Sequence, residues 1–96
     1  MHIISKKALQ DFWEKHKDSE EPLKVWFKIV NATRYTGYND LKATFRSIDK
    51  VGDKTVFNIG GNKYRLITVI HYKYGKVYVR VVLTHGEYDK EEWKNA

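Results

Sequence analysis

The periodicity of the apolar residues changes near residue 55, and this change constrains the fold more than any other feature of the sequence. Before it, apolar residues recur every three or four positions, as on one face of an amphipathic helix. After it, they alternate with polar residues, as in strands that bury one face. The chain is therefore predicted to have an α+β fold, with helices first and an antiparallel sheet second.

The first half of the chain predicts a helical hairpin. A short strand is predicted at His2–Ile4, and Ser5 is a suitable N-cap for a helix that runs to about Lys17. Ser19 is expected to cap a second helix, whose first turn holds two acidic residues and a proline, as helix N-termini favour. Asp40 is the expected cap of a short helical turn that follows the hairpin.

Three antiparallel strands joined by two tight turns are predicted from Thr55 onward. Gly60–Gly61 joins the first two strands, because glycine adopts the positive φ that such a turn requires. Tyr74–Gly75 is expected to join the second pair, and a short helix that packs Trp93 should follow the last strand. The expected fold is thus a helical hairpin packed on a small antiparallel sheet of three or four strands, with a short C-terminal helix.

Two-residue turns at both positions would decide which side chains share a face of the sheet, because successive side chains of a strand point to opposite sides. One face is then almost wholly apolar and is expected to lie under the helices; its members are Phe57, Tyr64, Leu66, Thr68, Ile70, Tyr72, Val77, Val79, Val81 and Leu83. The other face is expected to be open and basic; it holds Lys54, Val56, Asn58, Lys63, Arg65, Ile67, Val69, His71, Tyr78, Arg80, Val82 and Thr84.

The charge of the chain points to an anionic partner. The 96 residues include 18 Lys and Arg against 12 Asp and Glu, a net charge of +6, so nucleic acid is the first partner to consider. Arg65 and Arg80 are expected to lie about 13 Å apart on neighbouring strands. Long guanidinium side chains at that spacing can converge on phosphates, although the same residues are also consistent with an ordinary solvated face. A membrane surface or an acidic protein would be attracted by the same charge.

The segment THGEYDK at 84–90 holds the residues best suited to proton transfer. An imidazole such as that of His85 titrates near neutral pH, whereas Tyr88 would need a neighbouring positive charge to ionise. Both residues are equally consistent with closing the edge of the core. There is no cysteine and no metal-binding motif, so neither a disulfide nor a metal or other cofactor is expected. With no apolar run of signal-peptide or transmembrane length, the chain is expected to be cytoplasmic and to have no membrane partner.

The whole chain resembles the HigB-type toxins, which are RelE-like RNA endonucleases. The segments that carry this resemblance are LKATF at 41–45, VFNIGGNKYRLI at 56–67, YVRVVLTH at 78–85 and EYDK at 87–90, with HIISKKALQDFWEKH and PLKVWFKIV in the N-terminal part. The resemblance implies one RelE-like domain over residues 1–96. It also implies metal-independent cleavage of mRNA, commonly on the ribosome, and a helix-turn-helix antitoxin through which alone the toxin is brought to DNA. The positions that match the motifs are Lys42, Asn62, Arg65, Arg80, His85, Tyr88 and Lys90.

Residues and resemblance together give a hypothesis for the site. Arg65 and Arg80 would stabilise the phosphorane while a 2′-hydroxyl attacks phosphorus, and His85 and Tyr88 would transfer protons, with Lys42 or Lys90 assisting. The residues expected to bind the RNA are Lys42, Lys54, Asn62 and Lys63. Two alternatives stay open: a module that binds RNA or DNA on the same face without cleaving it, and an interaction protein whose charge serves an acidic partner.

Overall fold

In the computed structural model, which describes residues 1–95, the order of elements follows the predicted change of periodicity. The strands and helices are β1 (His2–Ile4), α1 (Lys6–Lys15), α2 (Glu20–Ala32), α3 (Tyr38–Thr44), β2 (Asp49–Val51), β3 (Lys54–Ile59), β4 (Tyr64–His71), β5 (Lys76–Thr84) and α4 (His85–Asp89). Short 3-10 turns lie at Lys17–Ser19, Tyr72–Tyr74 and Glu92–Asn95.

The sheet has five strands in the order β1-β5-β4-β3-β2, rather than the three or four that were expected. The last four strands of the chain pair antiparallel, whereas β1 lies parallel to β5, so the sheet is mixed. The two edge strands are three residues long, too short to show an alternating pattern. The predicted α+β architecture with a short C-terminal helix is otherwise confirmed.

The predicted helical hairpin covers one face of the sheet. In α1 the buried residues are Leu9 and Trp13, one helical turn apart, and in α2 they are Leu23, Trp26 and Val30. These side chains form one core with inward residues of the sheet, including Phe57 and Leu66. Each fully buried side chain of this size contributes about 1.5–3 kcal/mol, so the hairpin is held by packing.

Ser5 and Ser19 stand at the predicted N-cap positions of α1 and α2, but without capping hydrogen bonds. Neither Ser5 nor Ser19 accepts a capping hydrogen bond through its side chain. Ser19 is buried in the 3-10 turn between the helices, where its hydroxyl donates to the His16 carbonyl at 2.6 Å. Asp40 lies inside the first turn of α3 and accepts a hydrogen bond from the Thr36 backbone at 3.0 Å.

Both hairpin turns are two residues longer than predicted. Ile59 pairs with Tyr64 and His71 pairs with Lys76, so each loop has four residues. A shift of two residues leaves every side chain on its predicted face, because the period of a strand is two. The predicted faces of β3 and β4 therefore hold, and Arg65 projects from the side that α1 and α2 leave uncovered.

A β-bulge at Arg80 changes the faces of the last part of β5. Thr68 pairs with Val79, but Ile67 pairs with Val81, so Arg80 is an extra residue on β5. Beyond the bulge every side chain is reversed relative to the prediction. The faces predicted for Val81, Val82, Leu83 and Thr84 are therefore wrong: Val82 joins the core under the helices, and Val81 and Leu83 lie on the opposite side.

The face predicted to be open is covered by the C-terminal segment. Val56 and Ile67 are buried there beneath Trp93, which is itself only 6% exposed. This second core is completed by partly buried side chains of Val51, Val81, Leu83 and Tyr88. The apolar side chains on this face of the sheet are costly to leave in water. Residues after β5 cover them, because α1 and α2 already occupy the other face.

Candidate functional site

The C-terminal segment begins with a helix that is anchored at its first residue. Thr84 is the N-cap of α4, and it forms a capping box with Glu87: each side chain hydrogen-bonds the backbone N–H of the other residue, at 3.2 Å and 2.9 Å. These hydrogen bonds lower the pKa of the Glu87 carboxyl, the bond from the Thr84 backbone most. The helix therefore leaves β5 in one direction, with His85 and Tyr88 on it.

The chain then reverses, so that Trp93 returns to the sheet. Glu91 has a left-handed backbone with a φ of 62°, which ends the helix and turns the chain. The Trp93 indole donates to the Tyr88 carbonyl at 2.8 Å, and the two rings stack at 4.9 Å with an interplanar angle of 13°. Tyr88 and Trp93 are thus one rigid aromatic pair above the sheet.

Arg65 lies beneath this pair, and its side chain is already engaged. The residue is 9% exposed, and its guanidinium lies 5.3 Å from the centre of the Tyr88 ring. It donates to the backbone carbonyls of Asn62 and Tyr64 at 3.0 Å and 3.3 Å, and to the Asn62 side-chain oxygen at 3.2 Å. It forms no ion pair with a carboxylate of the described residues. A buried positive charge therefore lies at the foot of Tyr88 without a negative partner.

The phenol of Tyr88 stays protonated at neutral pH. Burial raises its pKa above the ordinary value, and the negative charge of Asp49 acts in the same direction. The positive charge of Arg65 opposes both effects but does not outweigh them. The raised pKa makes Tyr88 better suited to donate a proton than to act as a base, although Arg65 lies beside its ring.

His85 is the more exposed of the two residues of α4 that were predicted to transfer protons. Its side chain is 50% exposed, and Nε2 lies 3.3 Å from the Asp89 carboxylate one turn along the helix. Its backbone N–H donates to the Lys63 carbonyl at 3.0 Å, which ties the start of α4 to the β3–β4 turn. Since Tyr88 is three residues further on, both side chains lie on neighbouring parts of one helix surface.

Arg80 and Lys54 lie on the other side of Trp93 from the turn that holds Arg65. They line a cleft of about 230 Å³ together with Ile67, Val81 and Trp93, hereafter the Trp93 cleft. The Lys54 side chain is 12% exposed and its Nζ lies 3.4 Å from Asp53. Arg80 is exposed and makes no hydrogen bond or ion pair with the part of the chain that the structure describes.

The expected convergence of Arg65 and Arg80 on one phosphate is not what the structure has. The guanidinium of Arg65 is held towards Asn62 in the β3–β4 turn, whereas Arg80 lies in the bulge beside Thr68, towards the other end of β4. The two cations therefore flank the aromatic pair from opposite sides. Lys90 borders a third position, a hollow of about 350 Å³ next to Trp93.

Two of the expected RNA-binding residues are directed elsewhere. The placement of Lys63 on the face of Arg65 is wrong, because its Nζ pairs with Asp18 at 2.7 Å in the turn between α1 and α2. Lys42 lies on α3 and donates to the Ile48 carbonyl at 3.3 Å, one residue before Asp49 and the edge strand β2. Neither lysine contacts Arg65 or Tyr88.

Two functional features escaped the sequence prediction. The bulge at Arg80 leaves no local pattern, because the residues around it are all good strand formers. Packing of Trp93 was predicted, but the face that it covers was not. A weak signal was its place five positions after Tyr88, because two residues at that spacing cannot stack within one regular helix.

The described residues have neither a metal-binding cluster nor a membrane-spanning helix. No group of three or more His, Asp or Glu side chains in residues 1–95 is placed to hold a metal ion. No helix there is long and apolar enough to cross a membrane.

Comparison with known proteins gives consistent matches along the chain. Residues 19–91 match the HigB toxin family, described as the RelE-like toxic component of a toxin-antitoxin system. The mRNA interferase toxin HigB of Escherichia coli (strain K12) is 38% identical over 92 residues, which cover 93% of this chain and 88% of the relative. The mRNA interferase HigB of Shigella flexneri matches equally, and that of Escherichia coli O6:H1 (strain CFT073) is 26% identical over 94% of this chain.

Proposed function

Because the chain belongs to the HigB family of RelE-like toxins, we propose that it is the toxin of a toxin-antitoxin pair and cleaves mRNA. The observation that carries the assignment of the site is the buried guanidinium of Arg65, which has no carboxylate partner and lies under Tyr88. A fixed positive charge beside a proton donor is what a phosphorane needs for stabilisation in a site without a metal ion.

The proposed reaction is a transfer within the RNA strand. The 2′-oxygen of one nucleotide attacks the adjacent phosphorus, and the bond from phosphorus to the 5′-oxygen of the next nucleotide breaks. One fragment then ends in a cyclic phosphate and the other begins with a free 5′-hydroxyl. A base must take the proton of the 2′-hydroxyl, and an acid must protonate the leaving 5′-oxygen.

His85 and Tyr88 are assigned these two roles in the proposal. The imidazole of His85 is half exposed and has a ring nitrogen that can accept a proton from RNA, so it serves as the base. Tyr88 keeps its proton, because burial raises its pKa, so it donates to the leaving oxygen. Arg65 holds Tyr88 in place and supplies the positive potential, and Asn62 holds Arg65.

The remaining basic residues are assigned to the RNA strand on either side of the reaction. Arg80 and Lys54 lie beyond Trp93 in one direction, and Lys90 borders the hollow next to it. Lys42 lies near β2 and can bind RNA only if its hydrogen bond to the Ile48 carbonyl breaks. Lys63 can bind RNA only if its ion pair with Asp18 breaks. We expect these last two residues to contribute least.

Membership of the family implies a cognate antitoxin. The finer proposal is that this antitoxin is a helix-turn-helix protein, through which alone the pair contacts DNA. It also includes cleavage in the cytoplasm on mRNA that is being translated by the ribosome. The net charge of +6 favours association with an acidic antitoxin and with RNA alike, because it attracts any anionic partner.

Brief induction of the chain in bacteria, followed by primer extension on abundant transcripts, tests the proposal. New 5′ ends should appear within minutes, and polynucleotide kinase should label the fragments without prior phosphatase treatment, because they begin with a hydroxyl. Induction of Tyr88→Phe at the same level is the matched control and should give few new ends. Growth arrest with intact transcripts would instead support a protein that binds RNA or a partner without cleavage.

A further inference from the structure

The Trp93 cleft combines features that the proposed reaction does not use. It has an apolar floor formed by Val81 above the fully buried Ile67, and Trp93 forms one wall. Two cations, Lys54 and Arg80, stand at its rim. We propose that this cleft binds one nucleotide of the RNA strand next to the cleaved phosphate, with the base on the apolar floor and a phosphate on Arg80. The inference rests on the proposed function and adds a binding subsite to it.

The size of the cleft selects a small ligand. Its volume of about 230 Å³ is below the roughly 300–1,000 Å³ of pockets that enclose a drug-sized molecule. A single planar base fits such a space, whereas a peptide segment of a protein partner would need a longer groove. Packing on the fully buried Ile67 and the nearly buried Trp93 holds the lining in place, and the partly exposed Val81 provides the apolar surface that a base can contact.

Arg80 is the cation of the cleft that is free to bind a phosphate, because Lys54 already lies 3.4 Å from the Asp53 carboxylate. Arg80 is exposed, and no acidic side chain of the described residues lies within ion-pair distance of it. The bulge is the reason, since an inserted residue is displaced from the regular alternation of the strand. Lys54 lines the same cleft with a side chain that is 12% exposed, and its charge is partly offset by Asp53.

The cleft is contiguous with the proposed reaction site. Trp93 forms its wall and also stacks on Tyr88, which lies over Arg65. Ile67 and Val81 pair with each other two residues along from the pair of Arg65 and Leu83, a distance of roughly 7 Å at ~3.3 Å per residue. A strand whose phosphate lies at Tyr88 can therefore place a neighbouring nucleotide in the cleft.

The experiment requires an RNA that binds but is not cut. Once primer extension has located a cleavage site, a short fluorescent RNA of that sequence is made with a 2′-deoxy sugar at the cleaved position. Two further RNAs lack the base on the 5′ or the 3′ side of that position. Fluorescence anisotropy then gives the affinity of each RNA for the parent protein and for the variants Arg80→Gln and Trp93→Leu.

One of the two abasic RNAs is expected to bind the parent protein about tenfold more weakly than the intact RNA. Trp93→Leu should bind all three RNAs with similar affinity, because the wall for the base has been removed. Arg80→Gln should bind every RNA more weakly, and its affinity should fall less steeply with salt, by about 0.7 in the logarithmic slope. Lys28→Gln is the control that also removes one positive charge, because Lys28 is exposed on α2, which covers the opposite face of the sheet. This variant should bind each RNA with the affinity of the parent protein.

The outcomes separate this inference from the proposed function. If the parent cleaves mRNA but neither abasic RNA binds more weakly, the cleft holds no base and the inference is wrong. If Arg80→Gln binds like Lys28→Gln, the phosphate contact is wrong. Because Arg80 is exposed, this variant tests the cleft even if Trp93→Leu does not fold. A parent protein that yields no new 5′ ends would contradict the proposed function itself.

Discussion

Arg65 is a cation that has lost most of its contact with water without gaining an anionic partner among the described residues. Three oxygens of Asn62 and Tyr64 and the face of Tyr88 replace its hydration. The cation–π contact is worth about 0.5–2 kcal/mol, depending on how far it is shielded from water. The guanidinium is therefore held in one place, and its positive charge remains available to an anion near the Tyr88 hydroxyl.

Replacement of Tyr88 by phenylalanine separates the chemical role of the hydroxyl from the packing role of the ring. The ring can still cover Arg65 and stack on Trp93, so the free energy of unfolding should change by less than about 0.5 kcal/mol. Cleavage of mRNA should slow by about 100-fold or more, because the proton donor is lost. Single-turnover cleavage assays and urea denaturation of the same preparations measure the two effects.

Tyr74→Phe is the control for this prediction. Tyr74 is 65% exposed in the β4–β5 turn, remote from Tyr88 in the fold, and its substitution should change neither quantity. Undiminished cleavage by Tyr88→Phe would remove Tyr88 from the reaction.

Gly61 illustrates a residue whose requirement is set by the backbone alone. Its φ is 69°, and a Cβ added there would meet no atom within 4 Å. Gly61→Ala should therefore destabilise the protein by about 1 kcal/mol through the left-handed conformation, with no steric contribution. Gly37→Ala is the matched control, since Gly37 is extended at −178° and equally free of neighbours. Urea denaturation should find Gly37→Ala close to the parent, and equal losses would contradict the assignment of the Gly61 effect to φ.

At the scale of elements, one carboxylate joins the helical hairpin to the turn that carries the site. Asp18, between α1 and α2, accepts hydrogen bonds from Lys63 at 2.7 Å and from Tyr64 at 2.5 Å. These two residues stand between Asn62 and Arg65, and the Lys63 carbonyl also receives the backbone N–H of His85. The β3–β4 turn is thus fastened to the helices on one side and to α4 on the other.

This linkage predicts a specific dependence of stability on pH. The hydrogen bond from Lys63 foremost, and then that from Tyr64, holds the pKa of Asp18 below its ordinary value of 3.8. A carboxyl with a lowered pKa in the folded state contributes stability that is present above the unfolded pKa and is lost as the pH falls through the folded pKa. The melting temperature of Asp18→Asn should therefore lie below that of the parent at pH 6, and the two should converge as the pH falls below about 4.

Asp11→Asn provides the comparison for this pH series. Asp11 pairs with Lys7 on the exposed surface of α1 and has no hydrogen bond or ion pair with another element of the described residues, so its substitution should have little effect at any pH. A difference between Asp18→Asn and the parent that stays constant from pH 6 to pH 3 would contradict the linkage.

The whole molecule has two cores on opposite faces of one sheet. The larger core lies under α1, α2 and α3, and the smaller one lies between the sheet and the C-terminal segment. The second core is centred on Trp93, the large aromatic side chain that covers Val56 and Ile67. This arrangement places the proposed site on the outside of the smaller core.

Trp93→Ala should therefore lower the free energy of unfolding by about 3 kcal/mol, the range found when a buried aromatic residue is truncated. Urea denaturation measures this loss, and the fluorescence of Trp13 and Trp26 in the larger core reports whether that core stays folded at zero denaturant. A loss of less than about 1 kcal/mol would mean that the C-terminal segment does not cover the sheet in solution.

The sequence alone determined the features that depend on local periodicity and on sterics. It predicted the helical hairpin, the central antiparallel strands and the face of Arg65, because a side chain's direction in a regular element follows from its position along the chain. Both turns are two residues longer than predicted, yet the predicted faces of β3 and β4 are unchanged, because side chains alternate along a strand with a period of two.

Only the tertiary structure decided how the site is assembled. The bulge at Arg80 reversed the faces of the end of β5, and the return of Trp93 closed a face that was expected to be open. The salt bridge of Lys63 with Asp18 joins residues that are 45 positions apart. Each of these features depends on contacts between segments that are distant in the chain. The local pattern of residues does not predict such contacts.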